Sequence, residues 1–423
     1  MKKSLILAAL VLMSAGCFAQ KNPLVKKAKN YALQETPDFS AARAAIKEAL
    51  ESDQSAETYY WAGMLGYKEA KLESYNQLMG KGYNAEKAGE AVMESYNYWL
   101  KADELALVPV LNKKGVEVPT DPKMRGKLAK MMLEYYKGDE YTNVGDLVRY
   151  GGYMDEKKDF ESAFTAFKMH IAIPELDMMQ DPKLQKEMPR DSVYNLYKYF
   201  TGVLAVQAGM HEEAVKYLAE LKDGNTEPVL VNKFLYQEYI ELKDTTSAFA
   251  ALQDAILRFP EDEWFIQNYV NVAIRANKEA DAVAYFTGLI EQNPTDALFY
   301  QKRGVMNEIL ERFEDAEADF DKSMELDPTF ADAVAGKGRV YYNRAVKMKE
   351  EAANIDDNRE YKKALDEMNE VFRKSLPYFE KAHELDPTRE SFLQNLKTLY
   401  YRFRTEPGMQ EKYDETVQKL ENL

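Results

Sequence analysis

A concentration of carboxylates stands towards the C-terminal end of the chain, in the segment FEDAEADFDKSMELDP (313–328). Seven of its sixteen residues are Asp or Glu, and Asp319 and Asp321 flank Phe320. Such a set could coordinate a cation or supply an acid/base pair. On a helix, however, residues two apart project about 200° from each other, so Asp319 and Asp321 could not chelate one ion together. The role of this segment therefore depends on the element that contains it.

The other residue types used in catalysis and metal binding are sparse. The histidines His170, His211 and His383 are far apart in the sequence, and it contains no HExxH, CxxC, GxSxG or phosphate-loop motif. The single cysteine, Cys17, lies in the N-terminal apolar segment and is not expected to act as a nucleophile. We therefore predict a non-enzymatic protein with no catalytic residue, metal site or cofactor, in which the histidines are hydrogen-bonded or exposed parts of the scaffold.

Charge and composition limit the partners that the chain can bind. Of its 423 residues, 46% are hydrophobic and 30% are charged, and the formal net charge is −15. Because nucleic acid and anionic membrane surfaces attract basic proteins, neither is expected as a partner. Frequent Ala, Leu, Lys and Glu, with 20 Gly in all, favour helix over strand.

The N-terminal segment MKKSLILAALVLMSAGCFAQ has the pattern of a bacterial export signal. Two lysines precede a short apolar stretch and small residues, which favours cleavage after Ala19. The run SAGC (14–17) also resembles a lipobox, which would attach a lipid to Cys17 and anchor the chain. Both alternatives predict an exported protein of a Gram-negative-type bacterium, periplasmic or associated with the outer membrane. Since no later apolar run reaches the length of a bilayer span, we expect no transmembrane segment.

A period of 34 residues organises much of the chain. Pro260, Pro294 and Pro328 are 34 residues apart, and each lies between two amphipathic stretches. If units start three residues after each proline, five successive starts (195, 229, 263, 297 and 331) share one register. The recurrent residues are Gly202, Gly304 and Gly338 at position eight, Ala214, Ala248, Ala282 and Ala316 at position twenty, and Phe286 and Phe320 at position twenty-four.

This pattern resembles the tetratricopeptide repeat, a 34-residue helix–turn–helix unit. The resemblance implies an all-α fold, a right-handed superhelical solenoid of antiparallel helix pairs, in which small residues lie where helices A and B cross. In this register the acidic segment is helix B of the unit 297–330. Its residues at positions 20, 24 and 27 would form the packed face, whereas Asp315, Asp319 and Asp321 would face away as a soluble outer surface.

The match to the repeat is close over only part of the chain, because irregular spacing and loop-like composition interrupt the register elsewhere. We predict seven segments: a signal peptide (1–19), divergent helical pairs (20–106), an irregular connection with the composition of a short hairpin, which is the best internal boundary (107–123), a divergent unit with an insertion (124–190), the regular array (191–330), a unit with elongated helices that turn at 356–358 (331–389) and a capping helical pair (390–423).

The resemblance also implies a binding surface, because positions two, five, nine and twelve of helix A line the concave groove in this family. A known use of that groove is a Lys/Asn/Arg clamp for a terminal carboxylate. Lys233, Asn268 and Lys302 agree with the clamp, but Gln237 and Leu298 replace its other two residues. We therefore predict a polar stripe that hydrogen-bonds an extended peptide, with carboxylate capture as the narrower alternative. The stripe comprises Lys233, Gln237, Asn268, Asn271, Gln301 and Lys302.

The function that follows from the resemblance is a non-enzymatic scaffold that binds a protein or peptide partner in its groove. Assembly of an envelope complex would be one form of this function. The alternative is capture of a glycan or another small ligand, because some outer-membrane glycan-binding proteins use a helical-repeat framework. Tyrosine-rich stretches such as 59–61 could stack on a sugar, but the sequence lacks the long insertions with exposed Trp that such proteins carry.

Overall fold

The computed structural model describes residues 22–112, 114–138 and 145–422. Within these residues, twenty α-helices form nearly all of the regular structure, with one two-stranded sheet and two short 3-10 helices. The predicted all-α fold is therefore confirmed. No helix in the described ranges combines the length and the apolar character needed to cross a membrane. The predicted signal peptide and Cys17 lie outside the described residues.

The chain divides into two compact units, residues 1–251 and 252–423. The elements of the first unit are α1 (Pro23–Leu33), α2 (Phe39–Ser52), α3 (Ala56–Leu78), α4 (Ala85–Ala106), β1 (Pro109–Leu111), β2 (Glu117–Pro119), α5 (Pro122–Lys137), α6 (Asp146–Glu156), α7 (Phe160–Ala172), 3-10 helices at Ile173–Glu175 and Asp177–Met179, α8 (Pro182–Lys186), α9 (Ser192–Gln207), α10 (His211–Ala219) and α11 (Pro228–Glu241). The next helix, α12 (Thr245–Arg258), contains the point of division.

The second unit continues with four helix pairs. They are α13 (Glu263–Arg275) and α14 (Glu279–Gln292), α15 (Ala297–Ile309) and α16 (Phe313–Leu326), α17 (Ala331–Ala352) and α18 (Asn358–Leu385), and α19 (Glu390–Arg402) and α20 (Met409–Glu421). The first residues of α13, α15 and α17 are the three unit starts that the proline spacing predicts. The elongated pair is α17 and α18, of 22 and 28 residues, with Asp357 as the N-cap of α18.

Proline and aspartate together set the ends of the regular helices. Pro260 and Pro294 follow a B helix, because the residue before a proline disfavours helical geometry. Two residues later, the side chain of Asp262 accepts a hydrogen bond from the Trp264 amide, and Asp296 does the same for Leu298. Each cap satisfies an amide that the first helical turn leaves without a partner. The sequence thus ends one helix and begins the next within five residues.

The close contact between paired helices depends on glycine. Phe320 of α16 is fully buried, and a Cβ atom on Gly304 of α15 would lie 3.0 Å from its ring. A Cβ atom on Gly336 of α17 would lie 2.4 Å from the same ring. Phe320 therefore packs against its own A helix and the next one, and small residues on both sides make room for it.

One core of the first unit forms differently, with large aromatic side chains. Trp99 and Tyr135 are fully buried, with ring centroids 5.1 Å apart, and the core around them extends from Ala56 to Met188. The hairpin formed by β1 and β2 therefore joins elements of one continuous core. The expectation that 107–123 is the best internal boundary is wrong, since packing on both sides of the hairpin belongs to the same core and the division falls at 251/252.

Candidate functional site

The first helices of the repeats in the second unit carry a set of polar side chains that interact between neighbouring pairs. Gln267 of α13 donates from Nε2 to Oδ1 of Asn271 over 3.2 Å, one helical turn further along. Its Oε1 accepts a hydrogen bond of 3.3 Å from Nζ of Lys302, on α15. The chain Asn271–Gln267–Lys302 thus joins two successive A helices across 35 residues of sequence.

Gln267 does not belong to the predicted stripe, although the register points to it. It occupies position five of the unit that starts at Glu263, and position five is one that the resemblance assigns to the groove. The carboxylate-clamp pattern requires Asn at position six instead, which led to Asn268. The periodicity alone would have identified Gln267, because its spacing on the helix from Asn271 is one turn.

Gln301 of the predicted stripe is buried, and Asn268 bonds to its own helix. Gln301 is 4% exposed, so its side chain belongs to the packing of α15 and does not line an accessible surface. Asn268 donates from Nδ2 to the Trp264 carbonyl of its own helix at 2.8 Å. Position five is therefore exposed in one repeat, at Gln267, and buried in the next, at Gln301.

Lys302 lies half-buried, and its environment is unusual for a lysine. Burial lowers the pKa of its ammonium group, and the nearby positive charge of Arg339 lowers it further, whereas Asp332 and Glu263 act in the opposite direction. Among the described residues, no carboxylate lies within ion-pair distance of Nζ, and its hydrogen-bond partner is the neutral amide of Gln267. A partly desolvated ammonium held by an amide keeps donor capacity for a ligand.

The next A helix extends this surface with charged groups. Arg339 of α17 donates to both carboxylate oxygens of Glu308 at 3.1 and 3.0 Å. Burial raises the pKa of the Glu308 carboxyl, and Arg339 opposes that shift. Asp332 pairs with Arg389, which precedes α19, at 3.4 Å. We use the name polar face for Gln267, Asn271, Lys302, Asp332 and Arg339.

The remaining two residues of the predicted stripe belong to the first unit. Lys233 and Gln237 lie one turn apart on α11 (Pro228–Glu241). Lys233 is half-buried, and Gln237 is exposed. Each unit therefore carries part of the predicted set, and within the second unit the structure joins Asn271 to Lys302 through Gln267.

The acidic segment that opened the sequence analysis is not uniformly a solvent-facing surface. Asp319 is 4% exposed and accepts hydrogen bonds from the Arg303 guanidinium, the shortest at 2.6 Å, and from Asn307 Nδ2 at 3.0 Å. The expectation that Asp319 faces away from the seam is therefore wrong, because its carboxylate pairs with the A helix of the same repeat. Asp321 is exposed and pairs with Lys337 of the next A helix.

The histidines occupy three separate environments. His211 lies 2.7 Å from Oε2 of buried Glu238, a hydrogen bond that raises the pKa of His211. His170 is 1% exposed and, among the described residues, neither ring nitrogen has a hydrogen-bond partner, so the expectation of a hydrogen-bonded or exposed residue is wrong for the described structure. Burial lowers its pKa to about 4, and burial also lowers the pKa of His383. In the described ranges, no three His, Cys, Asp or Glu side chains form a group that could hold a metal ion.

Comparison with solved structures finds helical-repeat proteins of low similarity. A TPR-repeat protein from Bacteroides fragilis is 17% identical, with 60% of this chain and 97% of that chain covered and a TM-score of 0.34. The C-terminal part of a TPR repeat-containing protein from Cytophaga hutchinsonii is 13% identical, with 64% and 93% covered and a TM-score of 0.37. MamA of strain MSR-1 is 20% identical, with 46% and 98% covered and a TM-score of 0.29.

No protein-family model matches this sequence, and no curated protein does. Since the TM-scores are below 0.5, the class of the protein follows from its own helix pairs. Helix pairs that begin at Glu263, Ala297 and Ala331, 34 residues apart, with Phe320 packed between Gly304 and Gly336, make this a helical-repeat protein with the spacing of the tetratricopeptide pattern. This agrees with the resemblance found in the sequence.

Proposed function

We propose that this protein is a non-enzymatic scaffold that binds an extended segment of a partner protein along the polar face. The observation that supports the proposal is the chain Asn271–Gln267–Lys302, which aligns amide and ammonium groups across two successive A helices. Amide side chains can donate to a peptide carbonyl and accept from a peptide amide. An extended segment exposes such groups along its whole length, so a row of them suits this kind of partner.

The arrangement favours binding because it is fixed before the partner arrives. Gln267 is held at both ends of its amide, by Asn271 and by Lys302, so little side-chain freedom remains to be lost on association. Lys302 is already partly desolvated, which reduces the further desolvation that a partner must cause. Its donors have no competing carboxylate among the described residues.

Location in the cell envelope is part of the proposal and is supported by the N-terminal segment alone. Fractionation of the native host, with the full-length chain and its Cys17→Ser variant, tests it. Export with lipid attachment predicts that the wild-type chain sediments with membranes and that C17S becomes soluble in the periplasm. Export without lipid predicts a soluble periplasmic chain in both cases. Recovery of both chains from the cytoplasm would contradict export.

A capture experiment tests the binding function. The full-length chain is immobilised and exposed to extract of the native host, with Lys302→Met as the test variant and Lys322→Met as the matched control. Lys322 lies on α16, where it pairs with Glu325 on the same helix. K302M should lose a protein that the wild type and K322M both retain, with melting temperatures unchanged within about 2 °C. Equal retention by K302M, or equal loss by both variants, would contradict the proposal.

A further inference from the structure

A small pocket at the C-terminal end of the second unit lies outside the polar face. Its volume is about 270 Å³, and α17, α18 and α19 supply its walls. Its apolar and aromatic lining comprises Tyr342, Phe372, Leu399 and Tyr401. Phe372 and Leu399 are buried, whereas Tyr342 is half-buried and Tyr401 is exposed. Tyr342 and Phe372 meet edge to face, with centroids 5.1 Å apart. A flat apolar group would therefore find a preformed wall here.

Arg402 lies at this wall without a negative partner. Its guanidinium carbon lies 4.0 Å from the centroid of the Phe372 ring, and its Nε and Nη2 donate to Oδ1 of Asn369 at 3.1 and 2.8 Å. No carboxylate in the described part of the chain is within ion-pair distance of it. Stacking and a neutral acceptor thus fix the guanidinium in place and leave its charge uncompensated.

Arg404, which also lines the pocket, repeats this arrangement. Its guanidinium carbon is 4.0 Å from the centroid of the Tyr401 ring, and Nη1 donates to the Tyr401 carbonyl at 3.3 Å. As with Arg402, the described residues place no carboxylate within ion-pair distance. Two positive charges that line one pocket and are both held by neutral groups create a local attraction for an anion.

A neighbouring arginine, Arg373, does have a carboxylate partner. Arg373 of α18 donates to both oxygens of Glu406, at 2.5 and 2.8 Å, although it stacks on Phe403 in the same way as the two pocket arginines stack. In a chain with a net charge of −15, carboxylates are plentiful. The lack of one beside Arg402 and Arg404 among the described residues is therefore a property of the pocket and not of the surface as a whole.

We propose that this pocket binds an acidic side chain that adjoins an aromatic one in the partner segment. Arg402 and Arg404 would donate to the carboxylate, and the aromatic ring would lie against Tyr342 and Tyr401. This inference rests on the proposed function, because it specifies a sequence feature of the peptide that the scaffold binds. Guanidinium forks match carboxylate geometry, and aromatic rings pack edge to face with rings already present.

Two blocked dipeptides that differ in one group test the inference. The probes are N-acetyl-Phe-Glu-amide and N-acetyl-Phe-Gln-amide, titrated into the full-length chain and followed by saturation-transfer NMR. The glutamate probe should bind at least about tenfold more tightly than the glutamine probe. Arg402→Gln and Arg404→Gln should each remove that preference. R404Q serves as the second variant, because its side chain is exposed and makes little contact with the core.

The matched control is Arg359→Gln, which removes the same charge from the first turn of α18. Arg359 is exposed and lies thirteen residues, or about 20 Å along the helix, from Phe372. R359Q should keep the preference for the glutamate probe. Equal binding of the two probes, no binding of either, or retention of the preference by R402Q or by R404Q would overturn the inference. The effect of K302M on partner capture is a separate measurement, so these results would leave the proposed function standing.

Discussion

Two buried polar side chains, one in each unit, have different surroundings. In the second unit, Asp319 is enclosed with Arg303 and Asn307, which donate to its carboxylate. In the first unit, His170 is buried with no hydrogen-bond partner among the described residues, stacked on Tyr136 at 4.6 Å between centroids. Around Asp319 the repeat is regular, and a fixed spacing supplies the partners: Arg303 reaches Asp319 sixteen residues ahead and Thr287 sixteen residues behind. Around His170 the repeat is irregular, and aromatic packing surrounds the imidazole.

Removal of the Asp319 carboxylate should give the largest effect on stability. Asp319→Ala removes the carboxylate that Arg303 and Asn307 share and leaves Arg303 with the Thr287 hydroxyl as acceptor. Breaking a buried pair costs about 3–5 kcal/mol, and we expect the lower end of this range because the Arg303 side chain is 21% exposed. Asp315→Asn, on an exposed position of the same helix, should change the free energy of unfolding by less than about 0.5 kcal/mol. Urea denaturation followed by circular dichroism measures both. Equal effects of D319A and D315N would contradict the buried role of Asp319.

Lowering the pH should reduce the stability of the first unit through protonation of His170. Its pKa is lowered to about 4 in the folded chain and is near 6.5 when unfolded. Between these values the unfolded state binds more protons, so stability falls as pH falls, by about 3 kcal/mol in all. His170→Phe should remove this part of the pH dependence. The measurement is the free energy of unfolding of wild type and H170F from pH 7 to pH 4, and a parallel loss in both would show that His170 is not the cause.

His211 offers a control of opposite sign in the same unit. The hydrogen bond with Glu238 raises the pKa of His211, so its contribution to stability is present below the unfolded pKa and is lost as pH rises through the folded pKa. His211→Gln should therefore destabilise the chain at pH 5 and have less effect at pH 8. An effect of H211Q that does not change with pH would contradict the ion pair.

Substituting glycine by alanine should have smaller effects on the free energy of unfolding. These effects should distinguish glycines at close helix crossings from glycines with open space around them. A Cβ on Gly66 would lie 2.5 Å from the Ala91 carbonyl oxygen, a backbone atom, whereas on Gly304 it would lie 3.0 Å from the Phe320 ring. We expect G66A to cost about 1–3 kcal/mol and G304A less, because a side chain yields more easily than backbone. Gly126→Ala, with no atom within 4 Å, should stabilise helix α5 by up to about 1 kcal/mol. Thermal melts of the three variants provide the test, which an unchanged G66A would contradict.

The regular half of the fold was predictable because the register repeats. The starts at Glu263, Ala297 and Ala331 followed from three prolines, since each signals the same helix end. The orientation of Asp319 did not follow, because assigning a carboxylate to the outer face assumes that no cation faces it. The structure places Arg303 of the preceding helix beside Asp319. Pairing between helices cannot be predicted from the pattern of one helix alone.

The candidate site also depends on contacts between helices that the sequence pattern does not reveal. Asn271 and Lys302 were placed on one surface by the register, and the structure joins them through Gln267. The burial of Gln301 could not be predicted, since it depends on how closely neighbouring helices approach. In the first unit the aromatic core around Trp99 and Tyr135 depends on contacts between distant segments. Composition therefore suggested a boundary at 107–123 where the core is continuous.

Site-specific photo-crosslinking in the native host tests the central claim most directly, because it compares an A helix with a B helix in the intact protein. A photoreactive residue replaces Ile274, which is exposed on α13 three residues after Asn271, or Ala318, which is exposed on helix α16. Binding along the polar face predicts one dominant protein adduct from position 274, reduced by K302M and absent from position 318. The same adduct from both positions, or none from position 274, would contradict the assignment of binding to the polar face.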